Sequence, residues 1–200
     1  MANAYAYFDC LSICDRLESA VGNADISEIH LFAYLSCLLS IYKQRPASSW
    51  QYSFSVTRTG YPYSPELEEE FRILVARGCL DLKKRVVNIT STGRGEYEIM
   101  REFSINTERD RLVEAACSTA LVMPVGMVRK AISVTPDIRQ ATELDRSTRL
   151  LDETAERDIY SEFEALRAVP GLNTTEIMLP AVVWLTYLCL ISESEVDDSD

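Results

Sequence analysis

The chain has 200 residues, 47% of them hydrophobic and 26% charged, with a net charge of −11 at pH 7. A polypeptide of this size buries roughly 70% of the surface its unfolded form exposes, so it supports a core without disulfides or metals, and its composition excludes the disordered and fibrous classes. The charge is lopsided: residues 1–142 hold 16 Lys+Arg against 17 Asp+Glu, whereas residues 143–200 hold 4 against 14, so acidity belongs to the C-terminal part.

Met1 to Phe8 carries no basic residue ahead of an apolar core, so it does not read as a signal peptide, and a cytoplasmic location is expected. The spacing of Phe8, Leu11 and Cys14 predicts a first helix over Ala4–Val21, stopped by Gly22-Asn23, which tolerate the left-handed conformation. Asp25 and Glu28 have the spacing of a capping box for a second helix that runs to about Tyr42. Its apolar positions Ile29, Phe32, Ala33, Leu35, Leu38, Leu39 and Ile41 cover most of the circumference, which places it at the centre of the core. After Arg45-Pro46, the alternation of Trp50, Tyr52, Phe54 and Val56 predicts a short strand, and Thr59-Gly-Tyr-Pro62 is turn chemistry.

Ser64-Pro65 opens a third helix with a hydroxyl N-cap, proline at the first helical position and acids against the positive end of the dipole. Leu67, Phe71, Leu74 and Val75 form its inner face and Gly78 ends it. Cys79–Leu82 and Val86–Ile89, joined through Lys83-Lys84-Arg85, read as a small hairpin, and Thr90-Ser-Thr-Gly-Arg94 starts the next helix. Beyond residue 105 the pattern is helical throughout, over about 106–122, 125–134, 137–151, 154–168 and 175–191, with Pro124, Pro136 and Pro170-Gly171 as breaks. The most apolar stretch, Pro180 to Ile191, is 12 residues long. Crossing a bilayer takes roughly twenty, so it is expected to be a buried helix and no membrane contact is expected. Glu193 to Asp200 carries five acids and little to bury, which predicts a disordered tail. The expected division is 1–103, an N-terminal helix and a hairpin-bearing domain; 104–191, a helical domain; and 192–200, the acidic tail.

Catalytic chemistry finds little foothold. His30 is the only histidine and stands in a strongly apolar helix, where a satisfied core histidine is the expectation. No GxSxG, P-loop or dinucleotide fingerprint is present. The six cysteines form no CxxC pair, and even Cys10 and Cys14, at helical spacing, read as reduced core residues. No enzyme activity, cofactor or metal is expected.

The order helix, short strand, turn, helix, glycine, hairpin, Thr-x-x-Gly helix start resembles a winged helix over residues 27–90. The motifs that carry it are Tyr61-Pro-Tyr-Ser-Pro-Glu-Leu67, Leu74-Val-Ala-Arg-Gly-Cys-Leu80 and Val87-Asn-Ile-Thr-Ser-Thr-Gly-Arg94. One departure is that Thr57 to Tyr63, where the middle helix belongs, leaves room for at most one helical turn. The fold class is therefore expected to be mainly α: a winged-helix-like domain with a small β-hairpin, followed by a helical C-terminal bundle. In the docking mode of that family the helix beginning at Ser64 would face the major groove. Its outward residues are expected to be Glu66, Glu68, Glu69, Glu70, Arg72 and Arg77, an acidic surface that repels phosphates and suits a protein partner better, with Glu66, Glu69, Glu70, Arg72 and Arg77 as docking candidates. Lys83, Lys84 and Arg85 at the hairpin tip, with Arg94 and Arg101, are the candidates for weak, non-specific phosphate contact; the plainer reading is a solvated turn. Layout, size and acidic end also resemble the middle-component subunits of bacterial three-component ATPase defence systems of the Lamassu kind. That resemblance implies a non-catalytic subunit of an antiviral, DNA-sensing complex, with an SMC-like ATPase and an effector subunit as its partners. A dimeric winged-helix transcriptional regulator is the alternative, and the acidic tail is suited to tethering a basic partner.

Overall fold

The computed structural model describes residues 3–57, 60–143, 147–172 and 176–197. The chain is mainly helical with a small antiparallel sheet. Helix α1 (Ala4–Val21) begins at Asn3, whose side chain accepts from the Tyr5 and Ala6 N–H groups, and ends at Gly22 with φ +87°. A two-residue strand β1 (Ala24–Asp25) leads into α2 (Ile26–Tyr42), where Asp25 and Glu28 form the expected capping box. Helix α2 is buried all round, from Ile29 to Tyr42, and packs against α1 and against two later helices. That is the behaviour of a helix whose apolar residues leave no polar face.

The segment after α2 departs from the expectation. Trp50, Tyr52, Phe54 and Val56 are all buried, as their alternation requires, but only Ser55–Val56 is a strand, β2, paired with β3 (Pro62–Tyr63). Ala47–Trp50 forms a 3₁₀ turn, and Gln51 at φ +72° breaks the extended run. Alternating burial here comes from aromatic side chains packing inward from an irregular segment, which strand periodicity alone cannot distinguish from a ladder. The expected turn over residues 59–62 falls partly outside the described residues; within them, the Gly60 N–H donates to the Thr57 carbonyl at 2.9 Å.

Helix α3 (Pro65–Ala76), capped by Ser64, is followed by β4 (Leu80–Lys83) and β5 (Val86–Ile89). The hairpin pairs Leu80 with Ile89 and Lys83 with Val86, and β1 pairs on the other side of β5, Ala24 against Val87, so the sheet order is β1-β5-β4. The strand completing this sheet is therefore Ala24–Asp25, not the Trp50–Val56 run. Thr90 caps α4 (Ser91–Arg101), accepting from the Gly93 N–H while its hydroxyl donates to the Gly78 and Cys79 carbonyls.

Helices α5 (Ser104–Ser118), α6 (Val125–Ser133), α7 (Pro136–Glu143), α8 (Glu153–Arg167) and α9 (Met178–Asp197) complete the described chain. Helix α7 is described to Glu143, and residues 147–150 are not helical, so the expected helix does not reach 151; Arg149 forms a β-bridge with Ser55 and the Leu150 N–H donates to the Phe54 carbonyl at 2.9 Å. Helix α5 packs on α1 and α2, and one cluster of buried side chains runs from Ala6 to Cys189, across the expected boundary at residue 103. All six cysteines are free and buried within it.

The expectation that 180–191 is buried needs correction. Helix α9 turns Ala181, Trp184, Leu185, Leu188 and Cys189 inward but leaves Leu179, Tyr187 and Leu190 exposed. It also extends to Asp197, through the first part of the acidic tail, while residues 198–200 lie outside the described residues. Among the described residues, no single helix is long and apolar enough to cross a membrane.

Candidate docking surface

Helix α3, the β4–β5 hairpin, the start of α2 and α6 surround a groove of about 620 Å³ lined by Asp25, His30, Tyr61, Glu68, Arg85 and Arg129, among others. The residues nominated by sequence divide sharply around it. Glu69 and Arg72 stand exposed on α3, as expected. Glu66 is part-buried and accepts from the Ser64 hydroxyl at 3.1 Å. Glu68 turns partly inward, accepting from Arg72 Nε at 3.0 Å and lying 3.5 Å from His30 Nε2.

Glu70 is a correction. It is 1% exposed, and its Oε1 accepts the Asn3 N–H at 2.5 Å, so it secures the start of α1 and cannot dock a partner. A helix of 3.6 residues per turn that buries Leu67 and Leu74 also carries position 70 toward the core. Arg77 is exposed yet committed: it donates to Glu96 Oε1 and to the Tyr7 hydroxyl, both at 2.8 Å, with its guanidinium over the Tyr7 ring.

His30 is satisfied in the way expected of a core histidine. It is buried, its Nδ1 accepts the Ser64 N–H at 3.2 Å, and its ring lies 4.9 Å from that of Tyr63. Because Nδ1 accepts, the neutral ring carries its proton on Nε2, facing Glu68. The hydrogen bond from His30, together with Arg72, holds the Glu68 carboxyl below its ordinary range.

The basic candidates are mostly committed as well. Lys83 pairs with Asp81 at 2.7 Å and Arg85 with Asp25 at 3.1 Å. Burial opposes ionisation of Asp25, but the Ser27 N–H and hydroxyl together with Arg85 outweigh it and hold the carboxyl low. Lys84, at φ +61° in the two-residue turn, makes no ion pair among the described residues. Arg94 does not join the hairpin tip: it bridges Asp15 and Glu18 of α1, each at 2.7 Å, beside the root where the Ile89 N–H donates to Glu18. Arg101 lies 3.8 Å from Asp110 and over the Tyr97 ring. Four of the five nominated cations thus already face acids of this chain.

Sequence reasoning missed the most heavily buried charges. Arg109 of α5 makes a bidentate pair with Asp9 of α1, both bonds 2.7 Å, while Tyr52 donates to the same carboxylate at 2.6 Å and Trp50 stacks 3.7 Å from the guanidinium. The one available signal was an aspartate between Phe8 and Cys10 on a helix whose positions 8–14 are all buried. Burial pushes the thiols of Cys10, Cys14, Cys37 and Cys117 well up, keeping them protonated and inert, and among the described residues no group of His, Cys, Asp and Glu is arranged to hold a metal ion. No protein-family model, curated protein or solved structure matches the chain.

Proposed function

We propose that the chain is a non-catalytic subunit of a multiprotein complex, built on a winged-helix layout and acting by docking onto a protein partner. The layout is supported by the order α1, β1, α2, α3, β4, β5 with β5 between the other two strands. In this alignment α1 is the first helix and α2, rather than Thr57 to Tyr63, takes the place of the middle helix, with α3 the helix a DNA reader would place in the major groove and β4–β5 the wing. The residues between Lys43 and Tyr63 are then an insertion ahead of α3.

The observation that carries the docking reading is the state of charge on that side. Glu66, Glu68 and Glu69 line the first turns of α3, and Lys83 and Arg85 of the wing are held by Asp81 and Asp25. Among the described residues a phosphate approaching this face meets Glu66, Glu68 and Glu69, with Arg72, Arg77, Lys83 and Arg85 each offset by an acid of this chain and Lys84 in no ion pair, whereas specific DNA readers neutralise many phosphates at once. Following the resemblance to three-component defence systems, the partner is an SMC-like ATPase in an antiviral complex whose effector activity lies on another subunit.

Lys84, exposed at the tip, favours one secondary role: weak, non-specific contact with DNA. Fluorescence anisotropy with a labelled duplex at about 50 and 200 mM salt decides how far it goes. The docking reading expects dissociation constants no tighter than about 10⁻⁶ M and a salt slope of about −1, lost in Lys84→Glu. Binding of its own promoter roughly a thousandfold tighter than a scrambled duplex, as a dimer, would establish the transcriptional-regulator alternative instead.

A further inference from the structure

Helix α9 carries 15 consecutive uncharged residues, Met178 to Ser192. One face is fully used: Trp184 packs 5.1 Å from Phe163 and donates from Nε1 to Glu162 at 2.9 Å, and the Cys189 thiol donates to the Met127 carbonyl. The opposite face places Leu179, the half-buried Val183, Tyr187 and Leu190 in line, at successive spacings of 4, 4 and 3 residues. Leu179 is 42%, Tyr187 54% and Leu190 61% exposed, and the neighbouring Met127 is 43% exposed. A helix that is apolar all round belongs in a core, and scattered surface apolar residues need no account, but a full-length stripe of them does.

We propose that this face of α9 seats an amphipathic helix of a partner protein, with its apolar stripe on Leu179, Val183, Tyr187 and Leu190 and its Lys/Arg residues over the acidic end of α9. Charge selects this occupant. Along the chain the stripe is followed by Glu193, and the last 58 residues carry 14 acids against 4 Lys+Arg, so this end stays acidic although Lys130 pairs with Glu193 at 3.3 Å. A second copy packed in parallel would bring two such acidic ends together, which is repulsive, and one packed antiparallel would set each acidic end beside residues 168–178, which hold no Lys or Arg. An anionic membrane surface is repelled for the same reason. An apolar stripe with basic residues at its end satisfies both halves of the surface, in the manner of helix-in-groove recognition. The inference rests on the reading of the chain as a docking subunit but uses a surface separate from α3.

The test titrates the full chain with two synthetic helical peptides of about 20 residues. Both carry Leu at the i, i+3, i+4, i+7 spacing; one ends in a lysine cluster, the other in a glutamate cluster. The lysine peptide should bind about tenfold or more tightly than the glutamate peptide, and weaken as salt rises from about 50 to 200 mM. Tyr187→Glu and Leu190→Glu should each weaken it about tenfold with an unchanged melting profile, because both positions are exposed. Glu69→Arg on α3 should leave it unchanged. Equal affinity for the two peptides, or none for either, overturns the proposal. So does sedimentation of the free chain as a dimer that Leu190→Glu dissociates, or binding to phosphatidylserine vesicles that the same change abolishes. Any of these outcomes leaves docking through α3 standing, since that reading is decided by variants at Glu69 and Arg72.

Discussion

A methyl group at position 93 would have nowhere to go. The Cβ of an alanine there would overlap the Cys79 carbonyl oxygen and sit 2.9 Å from Ile89 Cγ1, so α4 can approach the start of β4 this closely only with glycine. Thr90 fixes the same junction, its one hydroxyl proton shared between the Gly78 and Cys79 carbonyls and its oxygen accepting from the Gly93 N–H. Gly93→Ala should therefore cost about 1–3 kcal/mol and Thr90→Ala about 1 kcal/mol, read by urea denaturation. At the His30 contact, the Glu68 carboxyl is held low by the His30 hydrogen bond, aided by Arg72. A depressed folded-state pKa contributes stability above the ordinary carboxylate range, and that contribution is lost as pH falls through the depressed value. In His30→Ala the Glu68 titration, followed by carboxyl NMR, should move upward toward its ordinary range. The Asp9–Arg109 pair makes a stronger demand. Arg109→Met leaves a buried carboxylate without its charge partner and should cost about 3–5 kcal/mol, much of it recovered by also replacing Asp9 with leucine. The Thr-x-x-Gly junction was legible in sequence because its chemistry is local. Asp9 and Arg109 are 100 residues apart, and nothing near either one names the other.

At the scale of elements, the ends of α1, α2 and α3 were readable because each is written in a few adjacent residues: Gly22, Asp25 with Glu28, and Ser64 with Pro65. The hairpin was readable for the same reason. Strand β1 was not, since two residues carry no period; it exists because β5 offers it a partner. The Trp50–Val56 run misled in the opposite direction, having a period without a ladder. Helix α9 exposes a limit of composition: apolarity showed that it would be helical and packed but could not show that, among the described residues, one side is left without a neighbour. Its two faces should respond differently to substitution. Trp184→Ala should cost about 3–5 kcal/mol, whereas Leu190→Ser should stay within about 0.5 kcal/mol. Thermal unfolding of the two variants against the parent chain measures the contrast.

At the scale of the molecule, the described parts share one buried cluster, and α5 is clamped to α1 through Asp9 and Arg109, so the α3 face, the hairpin and α9 are presented by a common core. Their charges lie unevenly on it, with nearly all of the −11 in residues 143–200. A body with an acidic α3 face, an apolar α9 face and mostly self-paired cations is suited to binding proteins more than nucleic acid. The most direct test co-expresses the tagged chain with the partner proposed for it, an SMC-like ATPase of a three-component defence system, and measures the mass of the nuclease-treated eluate by light scattering. A stoichiometric complex that survives nuclease treatment and is lost in Glu69→Arg/Arg72→Glu is the predicted result. Elution of the chain alone, as a monodisperse species with no bound ATPase, would contradict it.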